Sequence, residues 1–147
     1  YKCCGDNTIE DGDEDDEEYR RVLASVLLEE WIRTQHGDDA VILLGDLNDK
    51  LNDAPAANVF NVFLDAPDKY RFTDMDIATG SSTDWSWRYS SHLDHILVTD
   101  ELFGFVEAAG SEVRTFHLDG YLQSGWNEYE SYLSDHLPVG MKLPLAP

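Results

Sequence analysis

Basic residues are scarce in this chain. Ten lysines and arginines stand against 30 aspartates and glutamates, which gives a formal net charge of -20. A field of that sign repels polyanions, so it argues against a protein that binds nucleic acid by neutralising phosphates with lysine and arginine. Divalent cations bound at a carboxylate-rich site would invert the local field and remove this objection. The acidic composition also favours a secreted or periplasmic protein.

Long apolar runs and cysteines are few as well. No run of about 18 or more apolar residues occurs, so the sequence predicts no membrane span. Cys3 and Cys4 are neighbours, and neighbouring residues rarely close a disulfide without strain. Free or externally paired thiols are therefore favoured over a bridge between them, and a zinc site would need more soft ligands. What the chain does have is 42% hydrophobic residues over 147 positions, which is enough for one domain with a core.

The spacing of apolar residues predicts alternating helices and strands. A three-to-four spacing predicts a helix over residues 17–36, which Gly37 ends. The continuous apolar run at residues 41–44 predicts a strand buried on both faces, and a helix followed by such a strand indicates an α/β fold. The remaining predictions are a helix at 54–64, strands at 85–89, 93–99, 113–118 and 138–143, and a long loop at 119–134.

An acidic segment precedes the first predicted helix, at residues 6–18. Its alternating acids around Gly12 superficially suggest a calcium loop, but the glycine comes too early for the EF-hand pattern. The segment is better interpreted as a solvated loop whose last acids lie at the positive end of the helix dipole.

Three short motifs carry the chemistry. Gly45-Asp46-Leu47-Asn48 directly follows the first predicted strand, where a carboxylate and an amide would point into the crevice that binds ligands in α/β proteins. His92-Leu93-Asp94-His95 opens a second apolar strand, and its aspartate needs a partner if it is buried. We interpret the two histidines there as structural rather than catalytic. Ser134-Asp135-His136-Leu137-Pro138-Val139 precedes the last predicted strand.

The order and spacing of these motifs resemble the endonuclease/exonuclease/phosphatase, or DNase I-like, family, with its signatures GD-x-N, (I/L)D-x-I and SDH-x-P-V. The matching residues are Asp46 with Asn48, then Asp94, then Asp135 with His136. The resemblance covers the whole chain but only the C-terminal half of the family's domain. It implies an α/β (α+β) fold that forms half of a four-layered α/β/β/α sandwich. It also implies a catalytic histidine just before Tyr1, with a catalytic asparagine and a metal-binding glutamate further upstream.

The resemblance implies hydrolysis of a phosphodiester by in-line attack of water, with four catalytic residues. His136 would lie against the phosphate, oriented by Asp94, while Asp46 would position or deprotonate the water and Asn48 would bind phosphate or water. Asp135 and Asp46 would bind Mg²⁺, for which Mn²⁺ is a possible substitute. Three carboxylates in one site would repel each other without a cation, and this favours a metal independently of the family.

Aromatic residues cluster near the motifs. Trp85, Trp87 and Tyr89 alternate, which favours packing and cross-strand pairs, whereas a surface for base stacking is the alternative. We expect Trp87 and Arg88 to contact the substrate, with Arg88 on a phosphate.

Three functions remain open on these residues. The first is a metal-dependent nuclease or phosphodiesterase that acts on nucleic acid or a small phosphoester. The second is a phosphatase for a small phosphate or a lipid headgroup. The third is an inactive fragment or binding module. Because half a sandwich exposes an apolar face, we also expect a preceding N-terminal segment or a homo-oligomer.

Overall fold

The computed structural model describes residues 1, 4–88 and 90–146. The predictions that involve Cys3 and Tyr89 fall partly outside the described residues. The helices are α1 (Glu17–Gln35), α2 (Asn61–Leu64), α3 (Met75–Ala78), α4 (Phe103–Glu107) and α5 (Trp126–Tyr132). The strands are β1 (Ile42–Asp46), β2 (Tyr70–Phe72), β3 (Asp94–Thr99), β4 (Glu112–Thr115) and β5 (Val139–Lys142). Short 3₁₀ turns lie at Ser82–Asp84, Asp100–Leu102 and Leu118–Tyr121.

The strands form two antiparallel sheets. The larger has the order β1-β3-β2, and the smaller pairs β4 with β5. The mixture of helices and antiparallel sheets confirms the predicted α/β (α+β) class. The central strand β3 is buried along almost its whole length, so it is the element to which the functional residues are anchored.

Helix α1 begins where the sequence predicts. The Asp16 side chain accepts a hydrogen bond from the backbone N–H of Tyr19, a standard N-cap. Glu17 and Glu18 then place negative charge in the first turn, where the helix dipole favours it. The helix lies on the three-stranded sheet through Ile32 and partly buried neighbours.

The core lies between α1 and the three-stranded sheet and is rich in aromatic rings. Phe60 and Phe63 are almost fully buried, and the ring of each lies edge-on to Phe72, at 5.3 and 6.2 Å between centroids. Burying a side chain of this size stabilises the fold by roughly 1.5–3 kcal/mol. Phe60 also lies against the ring of His95, at 5.8 Å, which brings the core directly beneath the candidate site.

The prediction that the first strand is buried on both faces is wrong. Val41 and Leu43 pack on the core, but on the other face Ile42 is 44% and Leu44 66% exposed. An unbroken apolar run cannot distinguish a strand covered on both faces from one covered on a single face, because only the packing partner differs. No helix among the described residues has the length and apolar character needed to cross a membrane.

Four other predicted elements need correction. The predicted helix at 54–64 is helical only over α2, and the loop at 119–134 contains the helix α5. In place of the predicted strand at 85–89, the backbone of Trp87 makes isolated bridges to Ser91 and His136. The strand predicted at 113–118 ends at Thr115. Strand β2 and helices α3 and α4 are three to five residues long, too short for a periodic signal.

Candidate active site

The antiparallel register of β1 and β3 sets Asp46 directly opposite Asp94. Residues paired in this way point to the same face of a sheet, with Cβ atoms about 5 Å apart. Two carboxylates at that spacing repel each other, so each needs a donor of its own. The structure supplies Asn48 to Asp46 and His136 to Asp94.

Asn48 donates two hydrogen bonds to the carboxylate of Asp46. Its backbone N–H donates to Asp46 Oδ1 at 2.9 Å, and its side-chain Nδ2 donates to Oδ2 at 3.1 Å. This geometry needs a left-handed backbone, and Asn48 has φ 53°. Asparagine tolerates that conformation better than other residues with a Cβ, which explains an amide two positions after the carboxylate.

The ring of His136 is bonded to Asp94, with 2.6 Å between Nδ1 and Oδ2. This hydrogen bond raises the pKa of His136, and the negative charges of Asp94, Asp46 and Asp135 act in the same direction against partial burial. Burial opposes ionisation of Asp94, but hydrogen bonds from His136 and Ser86 outweigh it and lower the pKa of Asp94. With Nδ1 bonded to Asp94, Nε2 is the ring nitrogen left to exchange a proton in the cleft.

The segment that carries His136 is fixed at several points. The His136 N–H donates to Ser134 Oγ at 3.0 Å, and its carbonyl accepts from the Tyr129 hydroxyl at 3.2 Å. The next residue, Leu137, is fully buried, and its N–H donates to the Ser86 carbonyl. The indole of Trp87 stacks near the His136 ring, with 6.5 Å between centroids.

One cleft of about 1080 Å³ collects most of the predicted site residues. Those that line it are Asp46, Asn48, Trp87, Asp94, Asp135 and His136. Arg88 does not line it. The Arg88 guanidinium donates to Asp119 Oδ2 at 2.6 Å and lies over the ring of Trp126, at 5.0 Å from its centroid.

Beneath the cleft lies a buried polar group that the motifs only hinted at. Asp74 is fully buried and bonded to two histidines, with 3.1 Å from Oδ2 to His92 Nε2 and 2.6 Å to His95 Nδ1. The Ser86 N–H donates to His92 Nδ1. Both histidines therefore have the structural surroundings that the sequence suggested. Asp74 itself precedes a four-residue helix and gave no local signal.

The Asp74 carboxylate makes the stability of the fold sensitive to acid. Burial opposes its ionisation, but hydrogen bonds from His92 and His95 outweigh it and lower the pKa of Asp74 to about 2. The stabilisation is complete above the unfolded pKa of about 4 and is lost as the pH falls towards 2. We expect Asp74→Asn to lower the free energy of unfolding at pH 6 by on the order of 2 kcal/mol.

Urea unfolding of wild type and Asp74→Asn at a series of pH values checks this. The difference between the two free energies of unfolding should narrow between about pH 4 and pH 2. Protonation of Asp74 then removes the stabilisation by its carboxylate from the wild type, and the variant lacks this carboxylate at every pH. A difference that stays constant over this range would contradict the lowered pKa of Asp74. The exposed substitution Asp68→Asn is the matched control.

A second buried group flanks the loop that follows β1. Arg21 of α1 bonds Asp49 through Nε at 3.0 Å and Glu18 through Nη2 at 3.2 Å, and all three residues are at most 5% exposed. All three also line the cleft. The sequence gave no signal for this group, because the residues that α1 buries are mostly polar: Glu18, Arg21 and Ser25, with Ile32.

The donors at the cleft are hard oxygen atoms of the kind that suit Mg²⁺ or Mn²⁺. Asp46 and Asp135 are exposed carboxylates at its edge. Mg²⁺ keeps several waters and often takes only one or two protein carboxylates, so these two carboxylates are the right kind and number of ligands for it. Among the described residues, the side chains close enough to offer three ligand atoms to one ion are Asp74 with His92 and His95, and Asp16 with Glu17 and Glu18. In the first group the atoms are already joined by hydrogen bonds.

The comparisons with known proteins agree with this geometry. The Endonuclease/Exonuclease/phosphatase family matches residues 5–136. The chain therefore belongs to this family, which confirms the resemblance that the motifs indicated. Its members commonly use divalent metals, and the family supports hydrolysis of phosphoesters in general. Neither the curated proteins nor the solved structures include a significant match to the chain.

Proposed function

We propose that this protein is a metal-dependent phosphodiesterase, most simply a nuclease, that hydrolyses a phosphodiester bond by in-line attack of water. One observation carries the proposal: the Asp94–His136 pair and the Asp46–Asn48 pair open into the same cleft. Phosphodiester cleavage needs a positioned water, stabilisation of charge on the phosphorus oxygens, and a proton for the leaving oxygen.

The roles follow from charge and hydrogen bonding. Asp94 holds the His136 ring and favours its cationic form, so Nε2 is placed to donate to a phosphate oxygen. Asp46, the carboxylate opposite, orients the attacking water or accepts its proton. Asn48 steadies phosphate or water without adding charge. Trp87 offers a face for a base or another planar leaving group.

Asp135 and Asp46 would hold the cation. When bound, Mg²⁺ or Mn²⁺ neutralises phosphate charge and acts as a Lewis acid on the phosphoryl oxygen. For Arg88 to reach a phosphate, it would first have to leave Asp119, to which it is bonded. We therefore propose for Arg88 a contact at the rim of the substrate rather than at the scissile phosphate.

A phosphatase for a small phosphate or a lipid headgroup is the second candidate. The charge of the cleft favours this second candidate. Six of the residues described as lining the cleft are acidic, whereas two, Arg21 and Lys50, are basic. A long polyanion meets more repulsion in such a cleft than a compact phosphate does. Cleavage of nucleic acid then depends strongly on the cation.

A panel of substrates separates the candidates. With Mg²⁺ present, we expect the protein to hydrolyse bis-p-nitrophenyl phosphate and either plasmid DNA or RNA faster than p-nitrophenyl phosphate and inositol phosphates. Colour release and gel electrophoresis measure the rates. A preference for the monoesters would favour the phosphatase. No hydrolysis of any of them by the folded protein would mean that the proposed function is wrong.

A further inference from the structure

The backbone of Asn48 adopts a left-handed conformation that is unfavourable for a residue with a Cβ. Its left-handed backbone, at φ 53°, costs a non-glycine residue on the order of 1 kcal/mol. Its two hydrogen bonds to Asp46 are local and exposed, so solvent competes with them. Its Nδ2 also donates to the Tyr1 carbonyl at 3.2 Å, but this contact holds the side chain and not the backbone of the loop. A loop in this state needs an anchor in the core to keep the Asn48 amide aimed at the cleft.

Asp49, the next residue, has such an anchor on each side. Its Oδ2 accepts from Arg21 Nε at 3.0 Å, and its Oδ1 accepts from the Lys50 N–H at 2.8 Å. Its backbone carbonyl accepts from His95 Nε2 at 2.9 Å. Asp49 is only 5% exposed. Helix α1 therefore holds its side chain while strand β3 holds its backbone.

The anchor on the strand side is itself fixed. His95 is 1% exposed and bonds Asp74 through Nδ1 as well as Asp49 through Nε2. Both ring nitrogens thus face an oxygen atom, one from the Asp74 carboxylate and one from the Asp49 carbonyl. Asp74 Oδ1 also accepts from the Ile96 N–H of β3 at 2.8 Å. The result is a rigid buried link from the central strand to the loop.

We propose that Asp49 is a positioning residue for the reaction: Arg21 and His95 clamp it from opposite sides, and the clamp keeps Asn48 directed at Asp46. The role rests on the proposed function of the cleft, but the clamp itself does not. Asp49 acts through Asn48 and not on the substrate. Loss of the clamp should therefore lower turnover more than substrate affinity, and the effect should disappear once Asn48 has no amide to position.

A double-mutant cycle tests this on the whole protein, with bis-p-nitrophenyl phosphate and Mg²⁺. We expect Asp49→Ala to lower kcat by about tenfold or more and to change KM by less than about threefold, since small misplacements in a site have effects of this size. In the Asn48→Ala background, the same change should lower kcat by less than about twofold. Equal effects in both backgrounds would overturn the proposal.

The matched control is Asn58→Ala. Asn58 is 3% exposed and anchors the same connection: its Nδ2 donates to the Leu51 carbonyl at 3.0 Å, and its Oδ1 accepts from the Phe60 N–H at 2.9 Å. Asn58 is not among the residues that line the cleft. It should destabilise the protein while leaving kcat of the folded fraction within about twofold. An equal loss of kcat in Asn58→Ala would show that Asp49 acts only through loop stability. If Asp49→Ala does not fold, Asp49→Asn replaces it, since it keeps the shape and one acceptor.

A readout without activity separates this proposal from the proposed function. By NMR, the side-chain amide of Asn48 should exchange with solvent at least about tenfold faster in Asp49→Ala than in wild type, and Asn58→Ala should leave it unchanged. If the wild type hydrolyses no phosphoester but the amide is released as expected, the clamp stands and the proposed function is wrong. If the amide does not change in Asp49→Ala, the clamp is wrong whatever the activity.

Discussion

His136→Ala should lower kcat by about 100- to 10,000-fold, the usual contribution of a positioned proton donor or acceptor. The imidazole of His136 is oriented in the cleft by Asp94, and the same contact favours its cationic form. Asp94 fixes Nδ1 at 2.6 Å and raises the pKa of His136. Without the ring, a phosphate oxygen in the cleft loses both a donor and a positive charge. Initial rates at saturating Mg²⁺ and substrate measure the loss.

A matched histidine serves as the control for this prediction. His117 is exposed and pairs with Asp84, and it does not line the cleft, so His117→Ala should leave kcat within about twofold. Asp94→Asn should fall between wild type and His136→Ala, because it removes the charge that favours the imidazolium but leaves the ring. A loss below about tenfold in His136→Ala, equivalent to about 1.4 kcal/mol, would mean that His136 is not catalytic.

The elements that the sequence predicted well are those with long local signals. Helix α1 has apolar residues at helical spacing over residues 22–32 and an acidic N-terminus, and β3 contains the apolar run at residues 96–98. The bounds of α1 were therefore predictable, although Leu27 and Trp31 of that apolar pattern are exposed. Burial was harder to predict than secondary structure. The exposed face of β1, with Leu44 66% exposed, shows that composition alone does not reveal what packs against a strand. We keep as a proposal that a preceding N-terminal segment or a second copy of the chain covers this face.

In the candidate site, the residues that face the cleft could be predicted from the sequence, whereas the buried residues that hold them could not. The residues that face the cleft stand in short motifs at strand ends, so their types and spacing are visible in the sequence. The residues that hold them are buried and distant along the chain. Asp74 meets His95 across 21 positions, and Arg21 meets Asp49 across 28. Such pairs form only when helix, sheet and loops come together, and no local pattern predicts them.

The carboxylates that face the cleft give the candidate site a concentrated negative charge. Asp46 and Asp94 lie opposite each other in the ladder, and Asp135 adjoins His136 at the cleft. The imidazole of His136 offsets one of these three charges, and Asn48 offsets none because it is neutral. A phosphate entering the cleft therefore meets net repulsion in a protein that already carries a charge of -20. We therefore expect the cleft to bind a phosphate only together with a cation.

Chelation should therefore abolish hydrolysis. We expect excess EDTA to lower the rate by more than about 100-fold, since a bound cation contributes several kcal/mol to stabilising the transition state. Added Mg²⁺ or Mn²⁺ should restore the rate, and Asp135→Asn should raise the Mg²⁺ concentration needed for half-maximal activity.

The control is Asp68→Asn, which removes the same charge from an exposed position outside the cleft. Asp68→Asn should not change the Mg²⁺ concentration needed for half-maximal activity, because that concentration depends on the ligands of the ion and not on the net charge of the protein. Full activity in EDTA would rule out the metal, whereas equal shifts in both variants would leave the metal in place but exclude Asp135 as its ligand.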